Sequence, residues 1–476
     1  MKAKHFLAVL PLLWSAAPSA AVELSPLESL GKALFFDPSL SNPPGQSCAS
    51  CHDPATGWTS PDANANAGGG VLHGVIHTRF GNRKPPTVAY AGYTPLMHRP
   101  GDMTGGMGTG GGMGGGGMGP GSGMGSGMGP GGMGPGGMGP GMGNMTPDTI
   151  VGGLFWDGRA SGWSLGDPLA EQAMGPFLNP LEQANPNAKH VCLSVMRTDT
   201  AVEFEKVWGA GSLDCVKDVD GTYERIARSI AAYERSGEVT AFSSKFDTFW
   251  NNSAGKMPPV PMINMMNWTR FKGRGLDDME LKGLMIFNTK GKCSTCHMLQ
   301  PMNGSPYPLF TDFKYHNLGM PMNPLNPFYE MPRQWNPKGD QWVDQGLGAF
   351  LAKTQGMTSG DGTDRDYRSF AAANTGKHRT PTLRNVDKRP SPDFVKAYGH
   401  NGYFKSLQEI VHFYNLRDVL PLCDSPNPPK DAMGGATCFP AAEVADNVNR
   451  TDLGNLGLTQ QEGMALIQFM KALTDL

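Results

Sequence analysis

The 476-residue sequence lacks a marked excess of charge of either sign. Forty Lys and Arg residues face 42 Asp and Glu residues, which leaves a formal net charge of −2. Proteins that bind nucleic acid or anionic membrane surfaces through electrostatics carry a basic excess or a basic patch. The composition supports neither kind of partner, and we predict neither.

Long apolar runs are also absent beyond the N-terminus. No later segment reaches the ~18 consecutive apolar residues that a transmembrane helix needs. The chain begins with two lysines in its first four residues, an apolar run over residues 6–17, and small residues up to Ala21. This arrangement is typical of a cleaved signal peptide. We predict a signal peptide at residues 1–21, no membrane span, and a periplasmic mature protein. A surface-associated location is the alternative.

Alternating strand patterns are scarce, and the 40 prolines and 65 glycines favour irregular loops over extended sheet. Four segments instead place apolar residues three and four positions apart, as amphipathic helices do. These segments are residues 26–38, 223–236, 277–291 and 459–476. We predict a mostly α-helical fold with long irregular loops.

Two Cys-x-x-Cys-His motifs stand 245 residues apart, after the first and third predicted helices. A zinc site would need a second Cys or His pair at short spacing, and neither copy has one. A thioredoxin-like motif needs no His after the second Cys. In c-type haem attachment the two thiols bond the porphyrin and the adjacent imidazole binds iron. We predict two covalent haem c groups, held by Cys48, Cys51 and His52 and by Cys293, Cys296 and His297.

Four further cysteines remain: Cys192, Cys215, Cys423 and Cys438. An even number in an exported chain suggests two disulfides, for which three pairings exist. The nearest-neighbour pairing joins the first two and the last two, and we predict that one.

Residues 101–146 form a Met/Gly-rich segment with ten methionines and no charge after Asp102. Its few side chains cannot build a core, so we predict a flexible insertion at the surface. The alternative is a Cu(I) site, because thioether sulfur is a suitable ligand for that ion.

Four stretches around these motifs complete a recognisable set: residues 154–184, 313–319, 378–386 and 398–415. Together with the two haem motifs they resemble the bacterial di-haem cytochrome c peroxidase and MauG family, over nearly all of the mature chain outside the insertion. The resemblance implies two cytochrome c-like haem domains, often with calcium between them. We place a peroxidatic domain at 22–240, including the 101–146 insertion, and an electron-transfer domain at 241–476.

The resemblance also assigns roles near the first haem. Glu182 matches the distal carboxylate that moves a proton between the peroxide oxygens, and Gln172 matches its hydrogen-bonding companion. Pro176 would line the same site, and Trp156 matches the tryptophan that relays electrons between the haems. Asp157 and Arg159 receive no chemical role.

Two features differ among family members and stay open here. In peroxidases that need reductive activation, a loop His binds the first iron at rest; His73 and His77 lie in that loop, with His77 nearer the expected place. Lys84 stands where the family commonly has Asn near the calcium ion. Lys84 cannot ligate a cation, and Asn82 is the remaining candidate for that site.

The sixth ligand of the second haem iron, on the side opposite His297, differs between the branches of the family. It lies 14 residues beyond the His of an HxG turn and is Met in the peroxidases and Tyr in MauG-like proteins. The count from His400 reaches Tyr414, which we predict as the ligand. Met320 and Met322 are the alternatives.

Three functions therefore stay under consideration. A MauG-like or MbnH-type enzyme would use hydrogen peroxide to oxidise a partner protein through long-range electron transfer. A cytochrome c peroxidase would reduce peroxide with electrons from a small redox protein. A non-enzymatic di-haem electron carrier with a copper-holding Met-rich arm is the third, but Glu182 and Gln172 argue against it because a pure carrier needs no proton shuttle.

Overall fold

The computed structural model describes residues 22–100, 102, 146–425, 427–432 and 434–476. The predicted signal peptide lies outside the described residues. So does the 101–146 insertion, except for residues 102 and 146. Signal cleavage, insertion flexibility and Cu(I) binding therefore remain predictions.

The described chain is mostly helical, as predicted. Its two strands have two residues each, β1 (Tyr315–His316) and β2 (His378–Arg379), and pair antiparallel with Tyr315 opposite Arg379. None of the described helices is both long and apolar enough to cross a membrane. The helices are α1 (Pro26–Phe36), α2 (Ala63–Ala67), α3 (Pro168–Leu178), α4 (Ala188–Met196), α5 (Thr200–Trp208), α6 (Val219–Arg235), α7 (Lys245–Asn252), α8 (Asp278–Asn288), α9 (Gly346–Leu351), α10 (Leu407–Leu416) and α11 (Gln460–Lys471).

Helices α1 and α8 start in the same way. In α1 the Ser25 hydroxyl accepts the Glu28 amide at 3.3 Å, and the Glu28 carboxylate accepts the Ser25 amide at 2.7 Å. Asp277 and Glu280 form the same reciprocal cap at the start of α8. Such caps satisfy amides that have no partner within the helix. Both helices lead towards a short 3₁₀ turn that carries the first cysteine of a haem motif, so the sequence repeat is also a structural repeat.

Each of these helices crosses a second helix at a glycine. A Cβ atom on Gly31 of α1 would lie 1.9 Å from the Ser229 carbonyl oxygen of α6, and one on Gly283 of α8 would lie 2.0 Å from the Ala465 carbonyl oxygen of α11. Only glycine allows backbones to approach this closely. The two crossings set the position of each haem motif against its domain core.

Replacing either crossing glycine with alanine is expected to destabilise the protein. Gly31→Ala and Gly283→Ala should each lower the free energy of unfolding by about 1–3 kcal/mol, because the added methyl group must push two helices apart. Chemical denaturation of the haem-loaded protein measures this. Ser29→Ala, on the exposed face of α1, is the control and should have little effect; equal stabilities for all three variants would contradict the close crossings.

The two largest sets of buried side chains form separate cores. The first includes Phe35 of α1 and Ile226 of α6, and the second includes Phe287 of α8 and Phe469 of α11. The limits of the two haem domains, 22–240 and 241–476, stay predictions.

The disulfide pairing is confirmed. Cys192 bonds Cys215 and Cys423 bonds Cys438, with Cα–Cα distances of 5.6 and 5.5 Å. The four haem-motif cysteines take part in no disulfide among the described residues.

Candidate active site

The histidines of the two haem motifs are oriented alike. The Nδ1–H group of His52 donates to the Trp58 carbonyl at 3.1 Å, and that of His297 donates to the Phe310 carbonyl at 2.8 Å. This bond fixes the tautomer and leaves Nε2 free to bind a metal. Burial lowers the pKa of His52 to about 4 and also lowers the pKa of His297. Both rings are therefore neutral at pH 7, the form that ligates iron.

Each motif borders a cavity. The first cavity is lined by Cys48, Cys51 and His52, and the second cavity by Cys293, Cys296 and His297, together with other side chains in each case. Two free thiols and one pre-oriented neutral imidazole at each cavity are the donors that haem c requires. The residues present fit two haem c groups.

The four residues assigned to peroxide chemistry meet at the first cavity. Gln172 and Pro176 of α3, Glu182 and Trp156 all line it together with His52. Glu182 lies in the turn that follows α3, where its amide donates to the Asn179 carbonyl at 3.0 Å. Residues up to 130 positions apart in the chain therefore share one cavity, although their chemical roles stay predictions.

The carboxyl group of Glu182 is partly buried in the cavity wall. Burial raises its pKa, and the nearby Arg159 guanidinium opposes that rise. The backbone at Glu182 is held in place by a distant loop, because the Val75 amide donates to the Glu182 carbonyl at 2.8 Å. A Cβ on Gly74 would lie 2.4 Å from the Leu181 carbonyl oxygen, so glycine is needed for this contact. A carboxyl group with a raised pKa on a fixed backbone is suited to accepting and returning a proton.

Trp156 separates the two cavities. Its side chain lines both of them and is only 8% exposed. The indole N–H donates to the Lys84 carbonyl at 2.8 Å, and the indole lies 6.5 Å from the His400 ring, centroid to centroid. This position between the cavities is the one that the predicted electron relay requires.

The loop histidines are placed differently from the sequence-based expectation. His73 lines the first cavity, whereas His77 is not among the described residues that do so. The His73 Nδ1–H group donates to the Gly74 carbonyl at 2.8 Å, and its ring lies 4.3 Å from the His77 ring. His73 is thus the better placed of the two, and iron ligation by either one stays a prediction.

Two candidate ligands reach the second cavity. Tyr414 of α10 and Met320 both line it, whereas Met322 is 37% exposed and is not among its described lining residues. Burial raises the pKa of Tyr414. Its phenol therefore stays protonated unless a cation close to the oxygen offsets that penalty.

Sequence comparison places the chain among known proteins. The family profile described as di-haem cytochrome c peroxidase matches residues 25–255. The methylamine utilization protein MauG of Paracoccus denitrificans (strain Pd 1222) is 30% identical over 453 residues, covering 94% of this chain and 88% of that protein. The chain belongs to the di-haem cytochrome c peroxidase and MauG family.

Solved structures agree with that assignment. The diheme peroxidase BthA from Burkholderia thailandensis E264 matches with a TM-score of 0.61 and 25% identity, covering 96% of this chain and 88% of that one. A MauG-like protein associated with microbial copper homeostasis shares the fold, with a TM-score of 0.53, 17% identity, and coverage of 98% and 96%.

The family's calcium ion fits poorly beside Trp156. The ammonium group of Lys84 is buried there and donates to the Pro85 carbonyl at 3.0 Å. Burial lowers the Lys84 pKa to about 8, which leaves the group largely charged at pH 7. The backbone carbonyl of Asn82 is already used by Asn326, at 3.0 Å. Because an ammonium group repels Ca²⁺ and cannot ligate it, Lys84 and Asn82 do not fit a calcium site.

Glu234 also lines the first cavity, and the sequence analysis did not predict it. It lies in α6, is 2% exposed, and has a carboxylate oxygen, Oε2, without a hydrogen-bond partner among the described residues. Burial raises its pKa to about 8. A signal was available: Glu234 follows Ile230 by four residues and so falls on the apolar face of the helix.

Glu234 is expected to make stability depend on pH. The folded state keeps its proton up to about pH 8, whereas the unfolded chain releases it near the ordinary value of 4.5. The wild-type free energy of unfolding should therefore fall between pH 5 and pH 8, by up to about 4 kcal/mol from this group. Glu234→Gln removes that contribution, so the variant should gain stability over wild type as pH rises. Denaturation at pH 5 and pH 8 tests this, and a constant difference between the proteins would refute it.

Proposed function

We propose that the protein is an exported di-haem enzyme that uses hydrogen peroxide to oxidise a partner protein by long-range electron transfer. One observation carries the proposal: Trp156 forms a shared wall between the cavity that contains Glu182 and the cavity that contains Tyr414. A peroxide-reacting site and an electron-storing site joined by an indole are what such an enzyme needs.

The haems, held by His52 and His297, would supply the electron chemistry: peroxide takes two electrons and two protons and leaves as two waters. The protein residues manage the protons and the geometry. Glu182 accepts a proton from the inner peroxide oxygen and returns it to the outer, departing oxygen. Gln172 offers an amide to orient the peroxide, and Pro176 limits the space for water. The two electrons come finally from the partner protein.

Trp156 would provide the electron path between the two cavities. Its indole is buried, and its N–H group is held by the Lys84 carbonyl, so the ring has one orientation. An aromatic ring at this position divides one long electron-transfer step into two short ones. Oxidising power produced at the first cavity can then be shared with the second.

The cytochrome c peroxidase alternative is supported by Met320, which lines the second cavity, as Tyr414 does. A thioether ligand stabilises ferrous iron and suits a haem that accepts electrons from a small redox protein. The two functions differ in one respect that can be measured. The MauG-like enzyme shares oxidation between its haems without prior reduction.

The test is to add one equivalent of hydrogen peroxide to the fully oxidised protein and follow both haems by stopped-flow absorbance. We expect both haem spectra to change together in the wild type and only the first to change in Trp156→Phe. Trp163→Phe is the matched control, since Trp163 is also buried and donates to a carbonyl, that of Met97 at 2.7 Å. A wild-type protein that reacts only after reduction would favour the peroxidase instead.

A further inference from the structure

A second polar cluster borders the second cavity and has no part in the proposed function. It consists of Asp344, His378, His400 and Glu443, which come from four separate parts of the chain. The side chains of Asp344, His400 and Glu443 are 2%, 7% and 5% exposed, and that of His378 is 10% exposed. We call these four residues the acid–histidine cluster.

The donor atoms of Asp344, His378 and His400 converge, and Glu443 lies beside His400. The His378 Nε2 atom lies 3.3 Å from Asp344 Oδ2, and the His400 Nε2 atom lies 3.9 Å from the same oxygen and 3.8 Å from Glu443 Oε2. The two imidazole rings stack with centroids 3.5 Å apart and an interplanar angle of 9°. Neither Nε2 atom makes a hydrogen bond within the described part of the chain. Two buried ring nitrogens thus face two carboxylates without being satisfied.

These separations match the edges of a small coordination shell. Nitrogen and oxygen ligands bind zinc at about 2.0–2.2 Å in tetrahedral sites, which places neighbouring ligand atoms about 3.3–3.6 Å apart. The observed distance of 3.3 Å falls within that range, and the distances of 3.8 and 3.9 Å are slightly longer. The ligand atoms of Asp344, His378 and His400 all lie within 4.8 Å of one another.

Neighbouring groups hold the carboxylates in position. Both Asp344 oxygens accept hydrogen bonds from Arg83 at 2.7 Å, and the Gly346 amide donates to Oδ1 at 2.9 Å. One oxygen of Glu443 accepts the Asp344 amide at 2.9 Å, which leaves the other facing His400. Outer contacts of this kind orient the ligands of metal sites.

The charge balance also favours a cation. Arg83 pairs with Asp344 and Asp157, and Arg159 also pairs with Asp157, so these two guanidinium groups balance those two carboxylates. Within the described residues the only salt bridge of Glu443 is with His400. A haem propionate is a second candidate partner for the ring nitrogens. It would bring a further carboxylate against Asp344 and Glu443, whereas a cation would be attracted by both and would bind both nitrogens.

We propose that the acid–histidine cluster binds one divalent transition-metal ion through Asp344, His378 and His400, a ligand set that best matches zinc. Glu443 lies outside this group of three ligands, and its Oε2 atom faces His400 Nε2 at 3.8 Å. The ion would join three chain segments near Trp156, whose ring lies 6.5 Å from that of His400.

Zinc content of the haem-loaded protein tests the proposal. The purified protein is treated with chelator, incubated with zinc sulfate, freed of excess by gel filtration, and analysed for zinc and iron by mass spectrometry. The iron content of the same sample gives the number of haems per chain. We expect about one zinc per chain in the wild type. In His378→Gln and His400→Gln the affinity should fall by more than the roughly 10- to 100-fold that loss of an outer contact costs. His412→Gln is the matched control, because the His412 Nε2–H group already donates to the Ala436 carbonyl at 2.8 Å.

Two results would overturn the site. A wild-type protein with two haems that retains no zinc would show that the ring nitrogens serve another group, such as a haem propionate. Equal zinc retention by wild type and the cluster variants would place the ion elsewhere. Haem content and circular dichroism confirm folding of each variant. Two independent substitutions are used so that the test still works if one variant does not fold. Because the readout is metal content, peroxide activity does not affect it.

Discussion

Glu182→Gln is expected to slow the reaction with hydrogen peroxide by about 100- to 10,000-fold, the usual contribution of a general acid–base group. The amide has nearly the same shape as the carboxyl but cannot accept a proton from one peroxide oxygen and return it to the other. Stopped-flow measurement of the first haem under excess peroxide gives the rate. Haem attachment should be unchanged, since the substitution keeps the size of the side chain and the backbone contact between Glu182 and Val75.

Glu203→Gln is the matched control, because Glu203 lies on the exposed side of α5 and forms only a loose surface pair with Lys206 at 3.8 Å. That variant should react like wild type. The pH dependence adds a second readout. Burial raises the Glu182 pKa, so the wild-type rate should fall as the pH is lowered through that value, and this dependence should disappear in Glu182→Gln. Wild-type kinetics in the variant would remove Glu182 from the mechanism.

Tyr414→Phe is expected to change the spin state of the second haem iron. If the Tyr414 oxygen is the sixth ligand, the variant lacks that ligand. The low-spin ferric signal of the second haem should then be lost or replaced. Low-temperature electron paramagnetic resonance of the oxidised protein shows this directly. We also expect the peroxide-treated variant to lose the joint response of the two haems, because an oxygen ligand favours the higher oxidation states.

Met320→Leu is the companion to this experiment. Met320 lines the same cavity and keeps its size and apolar character in the variant. The MauG-like hypothesis expects an unchanged signal in Met320→Leu. If Met320→Leu alters the signal and Tyr414→Phe does not, the ligand is the thioether and the peroxidase function gains support.

The sequence alone was sufficient for the local features. The haem motifs and the helix patterns depend on residues close together in the chain, so their spacing can be read directly. The predicted segment 277–291 contains α8 at Asp278–Asn288, and segment 223–236 overlaps α6, which starts earlier, at Val219. The disulfide pairing was also correct, because cysteines 15 and 23 residues apart meet with little loss of chain entropy.

The tertiary structure decided which distant residues meet. Glu234 enters the first cavity because α6 turns its apolar face towards it, and His73 borders that cavity although His77 seemed better placed by counting. The acid–histidine cluster joins Asp344, His378, His400 and Glu443, which no spacing rule connects. Long loops bring such residues together, and their paths depend on packing across the whole chain. Sequence thus determined the cofactor motifs and helices, whereas folding decided the partners around them, since only packing determines distances between segments far apart in sequence.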